Sequence, residues 1–160
     1  MPARRGIDPA PDGTFRVRLP LEERDVLRSL PTQLHGLIED DDDSARRLFP
    51  PAYDDERSED EYRRLVGASL LDGKLAALAE LERTAEAERL TEPELESWLG
   101  ALESLRLVLG TQLDVTEGSY GAFDPAQPEA QRLALYHWLS WLQDEVVQAL
   151  AAGLPTGDER

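Results

Sequence analysis

The chain has 160 residues, of which 33 are acidic and 17 basic, for a formal charge of −16 and a pI near 4.4. That length suits one domain able to bury roughly 70% of the surface its unfolded chain exposes. Cysteine is absent, which excludes disulfides, Cys-ligated zinc, iron–sulfur clusters and thiol nucleophiles. No apolar run approaches the ~20 residues of a membrane span, and Met1–Gly13 has no apolar signal core. A cytoplasmic protein with no membrane contact is expected.

Met1–Gly13 is polar and rich in Pro and Gly, a segment separate from the main domain at 14–153, and 154–160 is a tail. Thr14-Phe15-Arg16-Val17-Arg18-Leu19 alternates apolar and polar with period two, the pattern of a half-buried strand. Ala3–Ile7 is the candidate partner for a small hairpin. From Leu21 the period becomes helical: Val26, Leu27, Leu30, Leu34, Leu37 and Ile38 share a stripe. Pro31 should kink or break this helix. Glu39–Asp43 reads as a solvated acidic loop, Ser44 as the cap of a short turn Ala45–Leu48. Phe49-Pro50-Pro51-Ala52-Tyr53 follows as extended backbone with aromatics at both ends, a candidate partner loop.

Ser58-Glu59-Asp60-Glu61 has the spacing of a capping box. The helix it opens should run to about Glu86 with two apolar faces. Tyr62, Leu65, Val66, Ser69, Gly73, Ala76 and Ala77 line one. Leu71, Leu75 and Leu78 lie nearly opposite, so the helix is either central in the bundle or shared with a second subunit, with these leucines as the candidate homodimer interface. Thr91-Glu92-Pro93-Glu94 is a second capping box, and the stripe Leu95, Trp98, Leu99, Leu102, Leu105, Leu109, Leu113 marks a central helix. A last helix begins by about Pro128, buries Leu135 through Leu150, and ends at Gly153. The sum is a mainly α fold: four long helices, one short one, and a small N-terminal β-hairpin or strand.

The chemistry-bearing residues form no recognised constellation. His35 and His137, the two histidines, have no HExxH-type partners. The acidic runs at Glu39–Asp43 and Asp54–Glu61 lack the glycine and the alternating ligands of a calcium loop. There is no GxSxG elbow and no phosphate-binding glycine loop. No catalytic, metal or cofactor residue is therefore assigned. Trp98, Trp138 and Trp141 read as core fillers.

Arg106 breaks a local rule, because it projects into the middle of the Leu95–Leu113 stripe. A charge there is expected to be buried and paired, with Asp72 or Glu145 as its carboxylate, or else to anchor a ligand. Nucleic acid is disfavoured, since DNA would meet a −16 protein. Only Arg4, Arg5, Arg16 and Arg18 could answer that field.

Arg47-Leu48-Phe49-Pro50-Pro51-Ala52-Tyr53, the run from Trp98 to Thr111, and Tyr136 with Trp138-Leu139 and Trp141-Leu142-Gln143 together resemble one actinobacterial family. It is the domain-of-unknown-function family numbered twenty-seventeen, and the resemblance spans about Phe15 to Leu150. It implies small cytoplasmic proteins, genes near the Clp-protease adaptor, and members labelled transcriptional regulators. It supplies no catalytic residues. The expectation is a non-enzymatic interaction or regulatory protein, with Clp components as candidate partners and a homodimer as its assembly. A DNA-associated regulator is the alternative, and a ligand sensor or enzyme with an anion site at Arg106 the third.

Overall fold

The computed structural model describes residues 5–40, 42–43, 45–48, 55–114 and 128–154. The period-two segment forms strand β2 (Phe15–Arg18), with Phe15 and Val17 buried and Arg16 exposed. Its partner β1 (Gly6–Pro9) pairs antiparallel, Ile7 opposite Val17. The connecting turn closes with Ala10 N–H on the Thr14 carbonyl at 2.7 Å. Gly13 sits in it at φ +88, a left-handed conformation that favours glycine.

Helix α1 (Leu21–Glu39) runs through Pro31 without the break that proline was expected to allow. Proline costs about 3 kcal/mol inside a helix. Leu27, Leu30 and Leu34 are buried on either side of it, and each such side chain returns about 1.5–3 kcal/mol. Burial wins. A 3₁₀ turn at Ala45–Leu48 follows, as expected; Ser44 and the Phe49–Tyr53 loop lie outside the described residues.

The next helical stretch starts earlier than its apparent capping box. Asp55, not Ser58, is the cap: its Oδ2 accepts the Ser58 N–H at 3.0 Å and the Ser58 hydroxyl at 2.8 Å. Those bonds hold the Asp55 carboxyl below its ordinary range. Helix α2 (Glu56–Tyr62) passes into a π turn (Arg63–Gly67) and then into α3 (Ala68–Thr84). A π turn adds a residue and rotates everything downstream by about 100°. The stripe drawn from Tyr62 therefore does not continue. Ser69, Gly73 and Ala76 face solvent, while Leu78 and Leu81 are core.

A two-residue strand β3 (Arg89–Leu90) then adds to β2, with Phe15 opposite Leu90 and Arg16 opposite Arg89, giving the sheet order β1-β2-β3. Helix α4 (Glu92–Asp114) opens on the predicted capping box. Thr91 N–H donates to Glu94 Oε1 at 2.8 Å, and Glu94 N–H to Thr91 Oγ1 at 3.3 Å. Helix α5 (Pro128–Ala152) closes the chain, and Gly153 ends it with its N–H on the Ala149 carbonyl at 3.0 Å.

Helix α4 is central. It packs most extensively on α5 and α3, and also touches α1 and the 3₁₀ turn. Trp98, Leu95 and Leu102 from α4, Leu139, Leu142 and Val146 from α5, Leu27 from α1 and Leu81 from α3 are fully buried in one core. Trp138 and Trp141 are only partly buried against it. The fold class is as the patterning predicts: mainly α, with a small N-terminal sheet. No helix among the described residues is long and apolar enough to cross a membrane.

Candidate functional site

Among the described residues, Arg106 is half-buried and held by neutral groups. Tyr136, Ser140 and Gln143 lie at i, i+4 and i+7 on α5 and face it. Its Nε donates to Ser140 Oγ at 3.0 Å, Nη1 to Gln143 Oε1 at 2.7 Å and Nη2 to the Tyr136 hydroxyl at 3.4 Å. Its Cζ lies 5.3 Å from the Tyr136 ring centroid, within cation–π range. Gly110 makes room for that ring, since a Cβ there would stand 3.3 Å from it. Partial exposure removes the need for a carboxylate, because the guanidinium keeps part of its hydration. Asp72 is exposed on α3. Glu145 is buried and turned to the sheet, where Oε1 accepts the Ile7 N–H at 3.3 Å.

Leu78 is 2% exposed and part of this chain's own core, and Leu75 packs against that core. Leu71 is half-buried. Leu78 and Leu75 thus pack within a single chain. The partner loop Phe49, Pro50, Pro51 and Tyr53 lies outside the described residues, as does Arg4. His35 and His137 are both exposed. No group of three or more His, Cys, Asp or Glu among the described residues is arranged to hold a metal.

The charged feature that sequence reasoning passed over is Arg24. It is 8% exposed, yet among the described residues its partners are all backbone carbonyls. Nε donates to Leu19 O at 3.1 Å, Nη2 to Val17 O at 3.0 Å, and Nη1 to Ala85 O at 3.1 Å and Ala87 O at 2.8 Å. One side chain thereby ties the end of β2 to the segment between α3 and β3. Ala85 is the C-cap of α3, where the helix dipole favours a cation. A signal existed, because Arg24 stands on the stripe of Leu27, Pro31 and Leu34 just as Arg106 stands on that of Leu105.

Arg24 also lines a cleft of about 610 Å³ together with Arg5, Arg16, Arg18, Arg89 and, among the described residues, a single acid, Glu88. Arg18 pairs with Asp8 across the hairpin, and Arg89 with Asp12 at 2.9 Å. Arg5 pairs with Glu23 and lies 3.9 Å over the Trp141 ring, while Trp138 donates its indole N–H to Glu23. A second, apolar cleft of about 310 Å³ lies between α1, α4 and α5, with Gln33, Gln112 and Arg132 among its lining.

The comparisons place the chain in a family. The family model described as domain of unknown function (DUF2017) matches residues 4–150. The chain belongs to that family. The AosR protein of Mycobacterium leprae is 27% identical over 151 residues, covering 83% of this chain and 69% of its own length. The proteins named oxidative stress regulator AosR in Mycobacterium bovis and Mycobacterium tuberculosis are 25% identical over 178 residues, covering 85% of this chain and 82% of theirs. No solved structure matches the chain.

Proposed function

We propose that this DUF2017 protein is a non-enzymatic regulator that acts by binding other molecules. The observation that carries the proposal is similarity along most of the chain to relatives named oxidative stress regulators. The geometry is compatible with it: Arg24 and Arg106 are committed to holding backbone and helix α5, with no nucleophile–base pair among the described residues at either. Any response to oxidants runs without thiol chemistry in these residues, because the chain has no cysteine and Met1 is its single methionine. Clp components remain the proposed protein partners, on the family resemblance alone.

The DNA-associated alternative loses ground among the described N-terminal arginines. Arg5 and Arg18 are each occupied by a carboxylate, leaving Arg16 as the one without an ion pair. The test is transcript profiling of a gene-deletion strain with and without peroxide. A regulator predicts a defined set of transcripts altered in the deletion and restored by complementation. An unchanged transcriptome under both conditions overturns it. A mobility shift with duplex fragments from the affected promoters, held at physiological salt, separates direct DNA contact from action through a protein.

A further inference from the structure

We infer that the arginine-lined cleft at the junction of β2, α1 and β3 binds a small phosphate-bearing ligand of nucleotide size. The chain carries 17 basic residues against 33 acidic ones, yet five guanidinium groups converge on this cleft with Glu88 as its only lining acid among the described residues. Composition alone would line it with carboxylates.

Two of the five are left with charge to spend. Arg16 is exposed and has no ion pair among the described residues, and the sheet register sets it directly opposite Arg89. Like charges opposite each other on a sheet repel, and Arg89 is answered only by Asp12, on the β1–β2 turn. Asp8, opposite Arg16 on β1, is taken by Arg18. Arg24 is nine-tenths buried and has no ion pair among the described residues. Four of its five N–H donors are used on carbonyls, which leaves one Nη2 hydrogen uncommitted among the described residues. Pro20, at the N-cap of α1, also lines the cleft and offers no capping side chain, while Glu22 and Glu23 in the first turn answer the positive end of that helix.

The ligand class follows from charge and size. Phosphate oxygens match the planar fork of arginine better than a single point charge does. The cleft volume of about 610 Å³ lies within the usual range for small-molecule sites. A polynucleotide would carry its phosphates beyond the cleft onto a surface of net negative charge, whereas a small ligand ends inside it.

The full chain should be titrated with pyrophosphate and with ADP at constant ionic strength, following thermal unfolding and heats of binding. The expected result is saturable stabilisation by pyrophosphate, alone or together with ADP. Arg16→Gln, an exposed change that leaves the core intact, should weaken the Kd about tenfold, the worth of one charge-assisted contact. Arg28→Gln, on the outer face of α1 and outside the cleft, should leave it unchanged. Absence of saturable binding at millimolar probe overturns the site, and so does equal affinity of Arg16→Gln and the unaltered chain. Binding of a glutamate-rich peptide but not pyrophosphate, lost in Arg16→Gln, overturns the ligand class in favour of a protein partner.

Discussion

Trp98 donates its indole N–H to the hydroxyl oxygen of Thr84 at 2.7 Å, where both residues are closed to water. The Thr84 hydroxyl donates in turn to the Glu80 carbonyl at 2.6 Å, so one oxygen serves α3 and α4 together. Thr84→Val keeps the shape and strands the indole donor, at an expected cost of about 1–3 kcal/mol. Thr84→Ser keeps the hydroxyl and should lose clearly less. Urea unfolding followed by circular dichroism ranks the two, and equal losses would assign the effect to packing.

Arg24→Met should be the most damaging single change on α1. It fills the same space but leaves four carbonyls without a donor, for a loss of more than about 3 kcal/mol. Arg24→Lys is expected to recover only part, because an ammonium has three donors and no planar fork to reach both Val17 and Ala87. Denaturant midpoints measure both, and full recovery by lysine would mean that charge, not fork geometry, is what the site requires.

Arg106→Met should cost only about 0.5–1.5 kcal/mol, the net worth of ordinary hydrogen bonds. The acceptors it abandons are neutral and half-buried, so water can replace it at Ser140, Gln143 and Tyr136. A loss above about 3 kcal/mol, typical of a broken buried ion pair, would show that an acid reaches it in solution.

Acid should loosen the start of α4. The Glu94 carboxyl is held below its ordinary range, first by the Thr91 N–H and then by the Arg83 guanidinium. A depressed folded-state pKa gives stability that is complete above the unfolded value of about 4.3 and is lost as pH falls through the folded value. Stability should therefore decline more steeply below about pH 4.3 in the unaltered chain than in Glu94→Gln. Chemical unfolding on either side of that pH reads the difference, and parallel declines would refute the linkage.

The helices and the second capping box were legible because periodicity and caps are local signals. Thr91 and Glu94 needed nothing beyond their own spacing. Helix α3 was misread because the π turn at Arg63–Gly67 shifted its phase, and no 3.6-residue template carries across an inserted residue. Strand β3 is two residues long, too short to show a period of two. Its existence depends on β2, more than 70 residues earlier in the register that joins Arg16 to Arg89. Three of the five cleft arginines were visible, since Arg5, Arg16 and Arg18 stand close together in the chain. Arg89 and Arg24 join them only through the sheet and the backbone carbonyls, which carry no side-chain signature.

The contact between Ile7 and Glu145 has a consequence for synthesis. The chain is made from its N-terminus, so β1 and β2 leave the ribosome long before α5, which covers them. Gly153, at the far end of α5, is the residue a Cβ would bring to 3.0 Å from the Phe15 ring. A hairpin alone is marginal in water. Until the last helix emerges, the first strands therefore wait with Ile7 and Phe15 uncovered, and a chain stopped before α5 would display at its beginning the damage done at its end.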